Sequence, residues 1–329
     1  MERSITLEAD PLLSVVVPAF NEEGNIDVLY EAVRHAVEAA RVRFEILFVD
    51  DGSKDATLRH IYALRHRDQR VRPIALTRNF GHQAALVAGL EAARGDIIIT
   101  MDCDLQHPPQ LIPDMVAAWR RGFSIVQMIR EDTIGASRAK RKISRLFYKL
   151  INVLSDTPIT ADAADFQLLD RNALNSLLKL GDSRPFLRGM VAWLGYPRTE
   201  LRYTAPARTI GRSSYDFRRM LNLSLDAITN FSTKPLRIAF YLGCLSAVLS
   251  LAYLIYIAIA FARGKVVEGW SSLMVVLLFL GATQLMTLGI LGEYIGRIFD
   301  QTRARPRYLA MSSDDDPSPG PLSGPDDRR

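Results

Sequence analysis

The stretch Thr100-Met101-Asp102-Cys103-Asp104-Leu105-Gln106-His107-Pro108-Pro109 follows directly on Asp96-Ile97-Ile98-Ile99. The isoleucine run, introduced by Gly95, is short, apolar and β-branched, which is the pattern of a buried strand. Asp102 and Asp104 therefore fall where a strand runs out. In extended backbone, residues i and i+2 point the same way, so the two carboxylates are expected to converge. Hard divalent cations such as Mg²⁺ take one or two carboxylates and complete their shell with water and phosphate oxygens. The pattern invites a metal-bound diphosphate. An Asp-x-Asp pair by itself is more often a solvated turn, and the neighbouring loops decide between the two.

Upstream, the same arrangement recurs three times. Leu12–Val17 ends at Pro18 and is followed by Asn21-Glu22-Glu23-Gly24-Asn25 and the helical spacing of Ile26, Leu29, Tyr30 and Val33. Phe44–Val49 runs into Asp50-Asp51-Gly52-Ser53, and a helix begins at Asp55-Ala56-Thr57. Val71–Leu76 leads to Asn79-Phe80-Gly81-His82 and the apolar helix Gln83–Ala93. This alternation predicts an α/β fold with a doubly wound, mainly parallel sheet. The loops at the carboxyl ends of its strands form one rim, the edge where open α/β sheets bind ligands. Each loop carries acids or amides. Neither G-x-G-x-x-G after the first strand nor G-x-x-x-x-G-K-[ST] is present, so a nucleotide would be held by the rim and not by a glycine-rich phosphate loop.

Apolar residues make up 48% of the 329 residues, and the net charge is +5. Their distribution matters more than their sum. Residues 1–235 read as a soluble α/β region and 236–298 as membrane. Ile238–Ala262 and Gly269–Gly292 contain no charged residue, and about 20 residues cross a hydrocarbon core of about 30 Å. The short connection makes the two a hairpin. Arg218, Arg219, Lys234 and Arg237 precede it, Arg297, Arg303, Arg305 and Arg307 follow it, and only Arg263 and Lys265 lie between. By the positive-inside rule the large domain and both termini are cytoplasmic. Residues 138–154 alternate basic and apolar positions, as a helix on an anionic membrane surface does; a solvated helix packed on the core is the alternative. Residues 215–231 form a second interfacial candidate. Residues 299–329 read as a basic, then disordered, tail. Two cysteines, Cys103 and Cys244, speak against a disulfide framework or a zinc site. The N-terminus lacks the pattern of a signal peptide.

Val15-Val16-Val17-Pro18-Ala19-Phe20-Asn21-Glu22-Glu23, Val49-Asp50-Asp51-Gly52-Ser53 and Asp102-Cys103-Asp104-Leu105-Gln106 together resemble the GT-A glycosyltransferases of family 2. Within that family the chain is similar to the polyprenyl-phosphate glycosyltransferases, which include dolichyl-phosphate mannose synthase and the bactoprenol glucosyltransferases. Phe231-Ser232-Thr233-Lys234-Pro235-Leu236-Arg237 and Arg305-Pro306-Arg307-Tyr308 resemble the bactoprenol branch. The resemblance implies an integral inner-membrane enzyme that moves a sugar, with inversion, from a nucleoside-diphosphate sugar to undecaprenyl phosphate. UDP-glucose is the first donor expected; mannose, galactose, N-acetylhexosamine or a modified arabinose are alternatives. Mg²⁺ or Mn²⁺ is the expected cofactor, and no nucleic-acid partner is expected. Glycines at 243, 281, 289 and 292 permit close helix packing, so a homo-oligomer is expected.

Carried across residue by residue, the resemblance puts Pro18, Phe20, Glu22, Val49, Asp51 and Cys103 around the nucleotide, with Gln106 near the sugar. Asp102 and Asp104 would hold the metal and diphosphate, and Asp104 would be catalytic. Arg130 would meet the acceptor or donor phosphate, and Arg208 the diphosphate. As neighbouring cations, Arg130, Lys140 and Arg141 are the candidates to hold the lipid phosphate, with ordinary attraction to the membrane as the alternative. The family's Gly-x-Ser-Lys loop reads Gly211-Arg212-Ser213-Ser214 here, so Arg212 is the candidate substitute for the missing lysine. Asp165, in Ala164-Asp165-Phe166-Gln167, matches the family's proposed general base. A phosphate monoester has a second pKa of about 6, so the acceptor oxygen is already largely anionic at neutral pH. Base and positioning roles for Asp165 both stay open. A processive polysaccharide synthase would carry Gln-x-x-Arg-Trp and more spans. A scaffold with a degenerate enzyme domain would not need Asp51, Asp102 and Asp104 intact.

Overall fold

The computed structural model describes residues 10–131, 163–182, 185–204, 232–263 and 269–311. They fall into two units, one organised on a sheet and one on a pair of helices. In the first, β1 (Leu12–Ala19), β2 (Arg43–Asp50), β3 (Val71–Ala75) and β4 (Ile97–Thr100) are parallel. With β5 (Ile125–Glu131), β6 (Ala163–Asp170) and β7 (Arg198–Thr204) they form one seven-stranded sheet of order β3-β2-β1-β4-β6-β5-β7. This is the doubly wound, mainly parallel sheet expected. Only β6 runs against its neighbours β4 and β5. Its beginning therefore lies at the same rim as the ends of β1, β2 and β4.

Two helical layers fix the sheet from either side. α1 (Ile26–Ala40) buries Ile26, Leu29, Tyr30 and Val33, the stripe legible in its spacing, and continues it through Ala36, Val37 and Ala40. With Ile112, Met115 and Val116 of α4 (Ile112–Arg120), these side chains pack on Leu13, Val15, Val17, Ile46, Phe48, Ile97 and Ile99. α2 (Thr57–Arg67) borders α1 and β3. The opposite face carries α3 (His82–Ala92), almost wholly buried between Ala84 and Leu90. Its close approach depends on Gly89: a Cβ there would lie 2.3 Å from Val16 Cγ1 and 3.0 Å from Val49 Cγ2. α3 thus rests directly on β1 and β2, and its first residues reach the rim.

The far end of the sheet is held by a buried polar cluster. Glu45 accepts from Ser14 Oγ at 2.6 Å, from the Arg94 amide at 2.7 Å and from Arg72 Nη1 at 2.7 Å. The Glu45 side chain is 8% exposed and that of Arg72 25%. Burial pushes the Glu45 carboxyl up, but these donors outweigh it and leave it below its ordinary value. Glu45→Ala would take the carboxylate from Arg72, which keeps the Ala92 carbonyl at 2.9 Å, and the acceptor from Ser14 and the Arg94 amide. We expect it to cost about 3 kcal/mol or more, read as a lowered urea midpoint with turnover per folded molecule unchanged. A midpoint within experimental error of the parent would show that the cluster holds nothing.

The second unit contains α7 (Lys234–Ala262) and α8 (Trp270–Thr302), packed against each other; α5 (Arg171–Leu178) and α6 (Leu187–Trp193) belong to the first. α7 and α8 are both long and apolar enough to cross a membrane, with 18-residue stretches of mean hydropathy 2.3 within Lys234–Ala262 and 1.6 within Val276–Thr302. Tyr294 of α8 donates to the Ser232 carbonyl at 2.7 Å, tying the hairpin's two outer ends together. The interfacial segments expected at 138–154 and 215–231 lie outside the described residues.

The basic first part of the tail takes up structure of its own. α8 continues to Thr302, and residues 309–311 rejoin the first unit as an extra edge beside β3. Ala310 bridges Leu76 in antiparallel fashion, the Thr77 amide donates to the Leu309 carbonyl at 2.9 Å, and the Met311 amide donates to the Ala75 carbonyl at 2.8 Å. Arg307 and Tyr308 reach Glu91 of α3 at 3.3 and 2.7 Å. An open strand edge attracts backbone partners, and here the chain supplies its own. Residues 312–329 lie outside the described residues.

Candidate active site

The rim is assembled by loops that bond to one another. After β1, Asn21 takes a left-handed backbone (φ 55). Its amide donates to Ser53 Oγ and its side-chain oxygen accepts from the Lys54 amide, both at 2.9 Å. The Glu22 amide donates to Thr57 Oγ1 at 2.8 Å, and Asn25 Nδ2 to Glu22 Oε2 at 2.6 Å. The loops after β1 and β2 are therefore one piece. Asp51 joins them to the loop after β3, accepting from the Phe80 and Gly81 amides at 2.7 and 2.9 Å. Burial pushes its carboxyl up, with the two amides and His82 opposing.

The centre of the rim is Asp102, His82, Asp165 and Arg188. Thr100 of β4 faces Gln167 of β6 in antiparallel register, so Asp102 and Asp165 lie two residues beyond that pair on either side. His82, the first residue of α3, stands between them, with Nε2 3.4 Å from Asp102 Oδ1 and 3.4 Å from Asp165 Oδ2. Arg188 of α6 grips Asp165 through both oxygens, at 2.8 Å from Nε and 3.0 Å from Nη2. Gln83 ties the two helices together, accepting from the Leu187 amide at 3.1 Å and donating to Asp165 Oδ2 at 3.4 Å. Burial would raise the Asp165 carboxyl, but Arg188 and His82 overcome it and hold it well below the ordinary carboxylate range. Burial likewise opposes charge on His82, and the two aspartates overcome that, so its imidazole is held above its ordinary value.

Around this centre lie aromatic and amide groups. His107 Nδ1 accepts from the Asp102 amide at 2.9 Å, which leaves its proton on Nε2, 3.6 Å from Asp102 Oδ2. Its ring stacks on Phe166 at 5.1 Å and meets Tyr203 edge-on at 6.2 Å. Burial pushes the Tyr203 phenol up to about 12. Its hydroxyl is buried and has no hydrogen-bond partner among the described residues. Arg130 Nη1 donates to Gln106 Oε1 at 3.2 Å, and Asp104 Oδ1 accepts from the Gln106 amide at 3.1 Å.

Several expectations need revision. β4 ends at Thr100, so Asp102 and Asp104 belong to a turn in which Leu105 has φ 61, and strand alternation does not orient them. The Val49 side chain is fully buried against the site of Gly89, and Cys103 lies in the apolar core. Only their backbones are left for the rim. Pro18 is buried within β1, whereas Phe20 is 42% exposed at its end. Lys140, Arg141, Arg208 and Arg212 lie outside the described residues. His82, Gln83, His107, Arg188 and Tyr203 were not singled out by sequence. His82 sits in a loop already assigned to the rim, and His107 in the quoted acidic stretch, so position alone could have found them. Nothing marks Arg188, because its partner is set by the reversed direction of β6.

Asp102 Oδ1 is buried and accepts no hydrogen bond among the described residues, an uncommon state for a carboxylate oxygen. Among the described residues no three of His, Cys, Asp and Glu converge as a ready-made metal cage. Oxygen ligands too few to enclose an ion suit Mg²⁺ or Mn²⁺ sharing its shell with phosphate.

A mixed sheet of this order, with its acidic rim, is that of a GT-A glycosyltransferase. Residues 14–178 match glycosyl transferase family 2, and residues 234–298 match the GtrB C-terminal hairpin. The bactoprenol glucosyl transferase of Shigella phage SfX is 40% identical over 91% of this chain and 99% of its own. That of Shigella phage SfV is 41% identical over 90% and 97%. The uncharacterized glycosyltransferase YkcC of Bacillus subtilis is 38% identical over 91% and 93%. The chain belongs to glycosyltransferase family 2, and its hairpin makes it membrane-anchored.

Proposed function

We propose that this enzyme transfers glucose from UDP-glucose to the phosphate of a polyprenyl lipid, undecaprenyl phosphate, at the cytoplasmic face of the membrane. The observation that carries the reading is the orphaned, buried Asp102 oxygen at the acidic rim of a chain that also bears the hairpin. The names of relatives near 40% identity support glucose and a bactoprenol lipid. The arginines and lysines flanking the hairpin support the cytoplasmic orientation. Glycines 281, 289 and 292 leave open space beside the α8 backbone and support packing between copies.

In this reading Asp102 and Asp104 hold Mg²⁺ or Mn²⁺, whose charge stabilises the departing diphosphate. The loops stitched by Asp51, Asn21 and Glu22 bind the nucleoside, and Phe20 offers it an exposed ring. Gln106, oriented by Arg130, faces the sugar. Asp165 positions and does not take a proton: a carboxylate gripped on both oxygens and held well below its ordinary pKa is a poor base near neutral pH. The acceptor phosphate, largely dianionic there, needs little help to lose its proton.

The test is glycolipid formation in membranes containing the protein, supplied with undecaprenyl phosphate, Mg²⁺ or Mn²⁺ and labelled UDP- and GDP-sugars. A chloroform-soluble product from UDP-glucose, absent with Asp104→Ala, is expected. Product from a different donor alone would overturn the assignment of glucose. Absence of both product and nucleotide binding would return the protein to a scaffold role.

A further inference from the structure

We propose that Arg188 is a positioning residue of the transfer reaction that acts through Asp165 and His82 on Asp102. The inference rests on the proposed glycosyl transfer. Arg188 spends Nε and Nη2 on the two oxygens of Asp165, at 2.8 and 3.0 Å. This fixes the carboxylate plane. The oxygen bonded to Nη2 is also the one 3.4 Å from His82 Nε2, and the same nitrogen is 3.4 Å from Asp102 Oδ1. Asp102 Oδ1 accepts no hydrogen bond among the described residues, so His82 meets it as a charge at ion-pair distance. One end of the relay is therefore a two-point clamp, and the other is a carboxylate oxygen that no hydrogen bond holds among the described residues, on a residue whose amide and other oxygen face His107.

The elements involved explain why such a relay is needed. Asp102 stands in an irregular turn beyond β4, with Leu105 in a left-handed conformation nearby. No ladder bond orients it. Asp165 is extended backbone in β6, and its carbonyl accepts from Thr100 Oγ1 at 2.6 Å, so it is firmly placed. Arg188 and Gln83 bind α6 and α3 to that fixed point. Orientation passes from the sheet to the turn by way of His82. A lysine cannot reproduce this, since its ammonium is a point charge without the planar fork.

The experiment is a double-mutant cycle on the full-length protein in membranes, reading initial rates of glycolipid formation. Arg188→Ala is expected to lower turnover about 10²-fold, the scale of a reacting group misplaced by about 1 Å. Apparent KM for the nucleotide sugar should change less than about 3-fold, because the nucleoside loops are untouched. Arg188→Lys should recover only part of the loss, and millimolar guanidinium added to Arg188→Ala should recover more. In an Asp165→Asn background Arg188→Ala should cost less than about 3-fold more, since the residues act as a unit. An equal loss in both backgrounds would overturn the proposal and make Arg188 an independent substrate contact. Unchanged turnover in Arg188→Ala would overturn it as well. A fall that tracks the folded fraction by thermal melting, without guanidinium rescue, would do the same and leave a structural role. An inactive wild type would instead overturn the parent reading.

Discussion

Asp102→Asn is expected to lower turnover by roughly 10³-fold while leaving the thermal midpoint nearly unchanged. The substitution keeps the shape of the side chain and the backbone amide that donates to His107 Nδ1, so the turn should persist. It removes the charge on an oxygen that is buried and accepts no hydrogen bond among the described residues. Such an oxygen contributes little to folding, and its loss should appear in chemistry alone. EDTA should bring the wild type to the same low rate and do nothing further to the variant. Divalent-dependent binding of UDP, followed calorimetrically, should vanish in parallel. A variant within about 3-fold of wild type would remove Asp102 from the machinery, since a charge stabilising the leaving group is worth far more.

Much of this site was legible before any fold was seen, and the part that was not has a physical explanation. Strand-then-loop punctuation exposes the ends of β1, β2, β3 and β4, because each strand is a short apolar run stopped by acids or amides. Parallel order then brings Asn21, Asp51 and Asp102 to one rim. Side-chain direction is another matter. Val49 and Cys103 lie within the motifs, yet Val49 is turned toward Gly89 and Cys103 into the core. Motif membership places a backbone and does not aim a side chain. Asp102 and Asp104 lie beyond the reach of strand alternation for a related reason, since alternation holds within a strand and β4 stops at Thr100. Arg188, more than eighty residues downstream of Asp102, was beyond reach. Finding it requires knowing that β6 runs antiparallel to β4, a tertiary fact that no local pattern in Ala164–Gln167 encodes. The ordered tail was missed because 309–311 carries no strand signal of its own and is extended only because β3 offers an edge.

Asp165→Asn is expected to be the other severe variant, with turnover down about 10²- to 10³-fold and a measurable loss of stability. The amide removes the carboxylate charge that Arg188 grips, on a residue that is 6% exposed in the wild type. Breaking a buried pair is costly, though Arg188 is 36% exposed and water offsets part of the loss. About 1–3 kcal/mol is a fair expectation. Its pH dependence identifies the cause. The Asp165 carboxyl is depressed on folding, so its contribution is complete above the ordinary value of about 3.9 and is lost as pH falls from there toward the folded value. The gap in thermal midpoint between wild type and Asp165→Asn should thus narrow below about pH 4, and it should also shrink as pH rises through the raised folded value of His82, whose charge Asp165 helps to hold. Kinetics separate the two roles left open by sequence. If Asp165 only positions, the acidic limb of the rate profile belongs to the second ionisation of the acceptor phosphate, near pH 6. The slow Asp165→Asn enzyme should retain that limb. If Asp165 took the proton, its removal would erase a limb from the profile, and the clamp of Arg188 would be working against catalysis. A base needs a pKa near the working pH; a carboxylate gripped by a guanidinium and an imidazolium is arranged for the opposite, a fixed charge that organises its neighbours.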